Sequence, residues 1–274
     1  MAAPSRMRKL TVIASVVTGL LVLAAGAAHA QNANPVASSD VYDGFETPEL
    51  SPVWDTSKFE PGAVTMQSDI VRAGQHAARI ILHRGDYYEA GADGDPPTER
   101  AELMESRRLI SREGVPYEYS FSLFLPTDFP LVPTRLVIAQ WKQYCPGNGA
   151  CSNDSPVVAV RYIGGVLQIT QTLRREGKTR LLQTKEDLRG KWTDFKFRIR
   201  FATDTTGRVQ TWMDGKPVLD YRGISANAED GASGYPNPSV FYFKMGLYRD
   251  EMAEPMTLYI DEYGKRELAD EASP

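Results

Sequence analysis

The sequence has few of the side chains from which Cys/His metal centres are built. Its 274 residues contain two cysteines and three histidines. One histidine, His29, lies in an N-terminal segment that we expect to be removed, which leaves His76 and His83. Because such a centre usually takes four converging ligands, we exclude a Cys/His metal site.

Helical periodicity is also missing. No stretch of substantial length repeats apolar residues every three to four positions. After residue 30, no stretch is long and apolar enough to span a bilayer. Roughly 240 residues follow that point, which suits one all-β domain, and we place it at residues 41–268.

The first thirty residues have the three parts of a secretory signal peptide. We expect cleavage after Ala30, a flexible lead over residues 31–40, and a secreted or periplasmic protein with no attachment to a membrane. In such a protein, one close pair of cysteines indicates a disulfide that closes a short loop, here Cys145–Cys151. The parts of the signal are Arg6, Arg8 and Lys9, the apolar run Leu10–Ala25, and the cleavage site Ala28-His29-Ala30.

The mature chain is acidic. The sequence has 31 basic and 35 acidic residues, and loss of three basic residues with the signal gives a formal charge of −7. This balance argues against nucleic acid as a partner. It leaves a polyanionic substrate open, because a cleft can be locally basic on an acidic protein. We expect a monomer.

Alternation of apolar and polar residues predicts the strands. In the clearest case, Val240–Asp250, four apolar side chains face one way, and two tyrosines, a lysine and a glycine face the other. Many short strands of this kind predict an all-β jelly roll, a concanavalin A-like sandwich of two antiparallel sheets with a concave groove. The other predicted strands are Ala77–Arg84, Glu99–Ser106, Tyr117–Leu125, Leu136–Gln143, Thr193–Phe201, Arg208–Met213, Lys216–Tyr221 and Leu258–Tyr263, with a hairpin over Val157–Thr172.

The polar faces of these strands suit a polymer of acidic sugars. Arginine and lysine pair with carboxylates, and tyrosines stack on sugar rings and donate hydrogen bonds. If the faces belong to one sheet, they form one groove. Its members would be His83, then Arg100 and Glu102, then Gln140 and Lys142 on the same face as Ile138, and then Tyr242, Lys244 and Tyr248.

The same set suits β-elimination from a uronate. The proton on C5 lies next to a carboxylate and is very weakly acidic, so an enzyme must neutralise that carboxylate. It must also place a base at C5 and an acid at the leaving oxygen. Arg100 and Gln140 can neutralise the carboxylate, and a tyrosine or histidine can move the proton. This chemistry requires no metal.

Three motifs carry a resemblance to a known family. RAELMES, AQWKQ and YFKMGLYRD, in this order, resemble the motifs of the jelly-roll polysaccharide lyases, best known from family 7 alginate lyases. The segment from Lys191 to Gly223 is similar to the matching region of lyases of the heparin-lyase-I and glucuronan-lyase types. The resemblance covers most of the mature chain, and its last motif is the most specific.

The resemblance implies roles for individual residues. Tyr248 stands at the catalytic tyrosine, Gln140 at the amide that neutralises the carboxylate, and Arg100 at the first motif's arginine. Lys142 replaces the histidine that often acts as base, and His83 is its candidate substitute. Met104 replaces a second arginine. Substrate-binding roles are assigned to Glu102, Lys142, Tyr242, Lys244 and Arg249. The resemblance also implies a candidate structural Ca²⁺ site at Glu46 and Asp261.

The leading hypothesis is therefore an exported lyase that cleaves a glucuronan-, alginate- or glycosaminoglycan-like polymer by β-elimination. The alternative is a non-catalytic carbohydrate-binding jelly roll with the same groove. A laminarinase-type glycoside hydrolase ranks last, since the paired carboxylates that it needs on one strand are missing. The sequence leaves open which polymer is cut, whether action is endo or exo, and whether His83, Lys142 or Tyr248 is the base.

Overall fold

The computed structural model describes residues 40–91, 95–145, 155–228, 235 and 237–269. In this part of the chain, sixteen strands form two antiparallel sheets. Strands β1 to β16 are Val41–Asp43, Trp54–Asp55, Val64–Gln67, Ala77–Leu82, Thr98–Glu105, Ser111–Arg112, Pro116–Phe124, Leu136–Gln143, Val158–Ile163, Val166–Leu173, Gly177–Lys185, Trp192–Arg200, Arg208–Met213, Lys216–Arg222, Val240–Asp250 and Met256–Glu267.

Neighbours within each sheet come from distant parts of the sequence. Sheet I has the order β14-β13-β12-β7-β16-β4-β3, with β1 paired to β16. Sheet II has the order β11-β10-β9-β8-β15-β5-β2, with β6 paired to β15. Strand β15 is thus flanked by β8 and β5, and these three strands carry the three sequence motifs. The predicted jelly-roll fold is confirmed.

The two sheets pack through aromatic side chains. Trp141 on β8 lies 4.7 Å, ring centre to ring centre, from Phe197 on β12. Phe243 on β15 lies 5.9 Å from Phe121 on β7. All four rings are buried, and removal of one such ring typically costs about 3–5 kcal/mol. This core fixes the inner face of sheet II and leaves the other face for the polar side chains.

One predicted alternation is broken in β8. Ile138 was expected to share the polar face with Gln140, but it belongs to the buried core together with Ala139. The pairing of β8 with both neighbours shifts by one residue at this point, and a bulge of this kind moves later side chains to the opposite face. Val137, paired with Tyr248, takes the place on the polar face.

Strand β11 was not predicted. It lies at the edge of sheet II, and most of its side chains are exposed. An edge strand without a buried face has no need for alternating apolar residues. Its sequence, GKTRLLQTK, therefore carries little strand signal.

Some predictions concern residues outside the described part of the chain. The signal peptide and most of the lead belong here, as does Cys151, so the disulfide with Cys145 stays a prediction. In the described residues, no helix is long and apolar enough to cross a membrane.

Candidate active site

Strand register brings the three motifs together on one face of sheet II. Residues paired directly across neighbouring strands point to the same side. Tyr248 on β15 is paired with Arg100 on β5, and Lys244 is paired with Gln140 on β8. We call this side the polar face of sheet II; its side chains include Arg100, Glu102, Gln140, Lys142, Arg161, Tyr242, Lys244 and Tyr248.

Glu102 is the acceptor at the centre of this face. It is 1 % exposed, and Gln140 Nε2 donates a hydrogen bond to its carboxylate. Arg100 Nη1 lies 3.5 Å and Lys244 Nζ lies 3.8 Å from Glu102 Oε2. A buried carboxylate with two hydrogen-bond donors and a lysine ammonium beside it is held firmly, and it fixes the direction of these side chains in turn. Glu102 therefore positions the two residues assigned to the substrate carboxylate.

Lys244 lies below this surface. Its side chain is 2 % exposed, and burial lowers its pKa from 10.5 to about 8, while the carboxylate of Glu102 acts in the opposite direction. Lys142, Arg100 and Lys58 lower the pKa of Lys244 further, because they are like charges. Lys244 therefore lies against Glu102, and its substrate-binding role stays a prediction.

Tyr248 is half-buried and held between two arginines. The guanidinium carbon of Arg100 lies 4.5 Å from the centre of the phenol ring. From the other side, Arg135 Nη1 donates a hydrogen bond of 3.4 Å to the phenol oxygen. The ring is thus fixed by stacking and its oxygen by a cationic donor, which leaves the phenol oriented at the surface of the polar face.

Arg135 was not predicted from the sequence. It is held in turn by Asp250, whose Oδ1 lies 3.1 Å from Arg135 Nε, and the Arg135 main-chain amide donates to Asp250 Oδ2 at 3.0 Å. The residue precedes β8 and lies outside all three motifs. Only the pairing of β8 with β15 places it next to Tyr248.

Gly246 allows β5 to approach β15. Its φ is +140°, in a region that favours glycine. A Cβ at this position would lie 2.3 Å from the Ala101 carbonyl oxygen and 3.0 Å from Glu102 Cα. The glycine is therefore required by the main chain of β5, which carries Arg100 and Glu102.

A second basic group lies further across the same face. Arg161 on β9 is paired with Val137, which is paired with Tyr248 on its other side. Burial and the nearby Arg135 lower the pKa of Arg161. Lys178 on β11 is close enough for Arg161 and Arg135 to lower its pKa, after burial as the first cause. Neither residue was predicted: Arg161 is one charge in the apolar run VAVRYI, and Lys178 lies on the unpredicted edge strand.

The family of the chain follows from its sequence. Residues 45–264 match the model of the family described as polysaccharide lyase. The chain belongs to this family. No curated protein sequence matches it. The matched range includes every strand that contributes to the polar face.

Solved structures with the same fold include three lyases. The endo-β-1,4-glucuronan lyase from the fungus Trichoderma reesei has a TM-score of 0.63 at 20 % identity, over 82 % of this chain and 94 % of that one. The family 7 alginate lyase AlgAT5 has a TM-score of 0.51 at 16 % identity, over 77 % and 84 % of the two chains. The family 14 alginate lyase from Aplysia kurodai has a TM-score of 0.50 at 10 % identity, over 75 % and 87 %. At these identities the likeness concerns the fold.

His83 does not share the sheet of the other residues predicted to form the groove of this lyase. It follows β4, which pairs with β16 and β3 in sheet I, so the prediction that its strand contributes to the same polar face is wrong. Its side chain is 57 % exposed, and Nδ1 lies 3.2 Å from Asp86 Oδ2. The Asp86 carbonyl accepts a hydrogen bond from the Arg100 amide, so the His83 loop borders the edge of β5.

Arg249 is buried in this lyase and paired with Glu99, and its predicted role in substrate binding stays a prediction. Its side chain is 0 % exposed, as is that of Glu99, which lies 2.9 Å from Arg249 Nη2. Nη1 donates to the Glu254 carbonyl at 2.6 Å. Because side chains alternate along β15, Arg249 points away from Tyr248, and that alternation was visible in the sequence.

Lys142 and Tyr242 lie at the far end of the same face. They are paired with each other across β8 and β15. Lys142 is buried, and Lys244 Nζ lies 5.7 Å from the centre of the Tyr242 ring. The Tyr242 ring thus lies beside Lys244, and the substrate-binding roles of Lys142 and Tyr242 stay predictions.

The two carboxylates assigned to calcium hold one loop. Glu46 accepts hydrogen bonds from the Gln75 amide at 3.0 Å, and Asp261 Oδ2 accepts one from the Arg72 amide at 2.9 Å. Burial raises the pKa of Asp261. Among the described residues no group of three metal-ligating side chains occurs, and calcium takes six to eight oxygen ligands. Main-chain carbonyls would have to complete the set, so the ion stays a prediction.

Proposed function

We propose that the protein is an exported lyase that cleaves a uronate-containing polysaccharide by β-elimination and leaves an unsaturated uronate at the new end. The observation that carries the proposal is the position of the Tyr248 phenol beside Arg100, on the face that also holds Gln140 and Glu102. Two groups that can neutralise a carboxylate thus share one face with a group that can move a proton.

Arg100 and Gln140 bind the carboxylate of the sugar that loses its C5 proton. Glu102 takes one N–H of the Gln140 amide, and the second N–H remains for the substrate. Arg100 is held by Glu89 and Glu102, but its Nε has no hydrogen-bond partner in the described part of the chain. Donors fixed in advance stabilise the developing enolate without a cost of reorganisation during the reaction.

Tyr248 moves the proton. The phenolate form abstracts the proton from C5, the electron pair forms the C4–C5 double bond, and the glycosidic oxygen leaves from C4. The protonated phenol then supplies a proton to that oxygen, so one residue serves as base and acid. The hydrogen bond from Arg135 to the phenol oxygen supports this role, because it fixes the position of the reacting oxygen.

The candidate substrates are glucuronan-, alginate- and glycosaminoglycan-like polymers. The basic side chains on the polar face support an acidic polymer on an acidic protein. Solved lyases of the same fold are named for glucuronan and alginate, which supports these two polymers as the first to test. The signal-peptide pattern of residues 1–30 supports export.

Ultraviolet absorbance of the unsaturated product tests the proposal. Purified mature protein is incubated with glucuronan, alginates, hyaluronan, heparin and chondroitin. We expect absorbance to rise on at least one polymer and not on the neutral polymers cellulose and mannan. A flat trace on every uronate polymer with folded protein would contradict the proposal, and binding without turnover would favour the carbohydrate-binding alternative.

A further inference from the structure

In the part of the chain that the structure describes, Arg161 is a buried cation without an acidic partner. Its side chain is 8 % exposed. Within the described residues, Nε donates a hydrogen bond of 3.1 Å to the Thr170 hydroxyl, and the guanidinium forms no ion pair. Removal of a charge from water is costly unless an opposite charge compensates it. Such a residue lowers the free energy of unfolding, so stability does not explain its presence.

The surroundings of Arg161 increase this imbalance. Arg135 and Lys178 are also positively charged. Arg135 lies close enough to lower the pKa of Arg161, and Arg161 lies close enough to lower the pKa of Lys178. The nearby carboxylate of Asp250 is already bound by Arg135 and Thr134. This part of the polar face therefore has a surplus of positive charge, which a bound anionic ligand would neutralise.

Strand register fixes where this charge lies relative to the phenol. Arg100, Tyr248, Val137 and Arg161 are successive partners across β5, β15, β8 and β9. Neighbouring strands are about 5 Å apart. The main chain of Arg161 therefore lies about 10 Å from that of Tyr248, on the side opposite to Arg100. A polymer laid across the strands can therefore present one acidic group to Arg100 and another to Arg161.

We infer that Arg161, flanked by Arg135 and Lys178, forms a second anion subsite that binds a uronate carboxylate of the same polymer chain beyond the bond that is cleaved. The inference rests on the proposed function. It defines the ligand more closely, as a polymer with acidic groups on more than one sugar, bound on both sides of Tyr248. Thr170 holds Nε, which directs the remaining N–H groups of the guanidinium to the ligand.

Calorimetric binding to inactive protein tests this subsite. In the Tyr248→Phe background, the probes are tetrasaccharides of glucuronate and of mannuronate, each compared with its neutral counterpart, cellotetraose or mannotetraose. We expect Arg161→Met to weaken binding of the acidic tetrasaccharide roughly 10- to 100-fold, as for loss of a charged hydrogen bond, and to leave binding of the neutral one unchanged. The matched control Arg222→Met removes an exposed arginine from sheet I and should change affinity less than twofold.

Thermal unfolding without ligand separates a binding role from a structural one. Arg161→Met should unfold at the same or a higher temperature, since it removes an uncompensated buried charge. If this variant folds poorly, Arg161→Gln keeps a donor for Thr170 and removes the charge, and it should show the same loss of affinity. Parental affinity of folded Arg161→Gln would overturn the inference.

Two outcomes distinguish the subsite from the proposed function. If Arg100→Met loses affinity for the acidic tetrasaccharide and Arg161→Met does not, the second subsite is wrong and the proposed function stands. If the parent binds no acidic tetrasaccharide and the wild-type protein cleaves no uronate polymer, both are wrong.

Discussion

Arg100 stacks on the ring of Tyr248, with 4.5 Å between its guanidinium carbon and the ring centre. The two residues are direct partners across β5 and β15. Stacking of this kind holds the ring through its face and does not involve the phenol oxygen. The orientation of the ring and the chemistry of its hydroxyl can therefore be separated by one substitution.

Tyr248→Phe should keep the fold and lose the reaction. The ring remains for Arg100, and only the hydroxyl that accepts from Arg135 is lost. Because loss of a general acid or base typically costs 10²–10⁴-fold, we expect turnover to fall by about that factor, with an unchanged melting temperature. Tyr259→Phe on β16 is the control. Full activity of Tyr248→Phe, measured by product absorbance, would remove the proposed mechanism.

Glu102→Ala should destabilise the protein and Glu102→Gln should do so less. The alanine variant leaves Arg100, Gln140 and Lys244 without their common acceptor, and loss of one partner of a buried charge pair costs about 3–5 kcal/mol. The glutamine variant keeps one carbonyl acceptor. Urea unfolding measures the difference. A wild-type midpoint for Glu102→Ala would show that these contacts contribute no net stability.

Gly246→Ala should harm both stability and activity. The added Cβ meets main-chain atoms of β5 and the residue has φ of +140°, so we expect a loss of about 2–4 kcal/mol. Activity per folded molecule should fall too, since Arg100 and Glu102 move with β5. Gly215→Ala is the matched control, because φ there is also positive, at +74°, but a Cβ meets nothing within 4 Å. Equal losses in both variants would show that backbone strain alone is responsible.

The sequence predicted the strands that have one apolar face. Val240–Asp250 and Leu136–Gln143 were found with these bounds, because burial of one face imposes a period of two on the sequence. The motif resemblance selected Arg100, Gln140 and Tyr248, and the register then places them on one face. Whether those residues catalyse the reaction stays a prediction.

The positions of the remaining site residues depend on strand order and bulges, which the local alternation of apolar and polar residues does not reveal. Arg161 reaches the face only because β9 pairs with β8, and strand order is a property of the whole fold. Ile138 lies in the core and not on the polar face, because the pairing of β8 with β15 and with β9 shifts at this point. His83 was assigned to the face because its strand alternates in the same way as the others, although that strand belongs to sheet I.

Arg249→Met should lower stability without a change in the activity of folded enzyme. Removal of one member of a fully buried ion pair leaves Glu99 as a lone buried charge, which costs about 3–5 kcal/mol. The double variant Arg249→Met with Glu99→Gln should recover part of this loss, because no unpaired charge remains. Urea unfolding and activity per folded molecule are measured together. A tenfold loss of activity in stably folded Arg249→Met would support the predicted role of Arg249 in substrate binding.

Lys244 should make stability rise with pH in the alkaline range. Burial lowers its pKa to about 8 from 10.5, so below about pH 8 the amine is charged in both the folded and the unfolded chain, and the cost of burying the charge is fully present. Between these values the folded chain releases the proton while the unfolded chain keeps it, and folding becomes more favourable by about 2–3 kcal/mol up to about pH 10. The difference in unfolding free energy between wild type and Lys244→Met, from urea titrations at about pH 7 and about pH 10, isolates this effect from the titration of other groups. If the difference does not change with pH, Lys244 carries no lowered pKa, and Glu102 compensates its charge fully despite the burial of both.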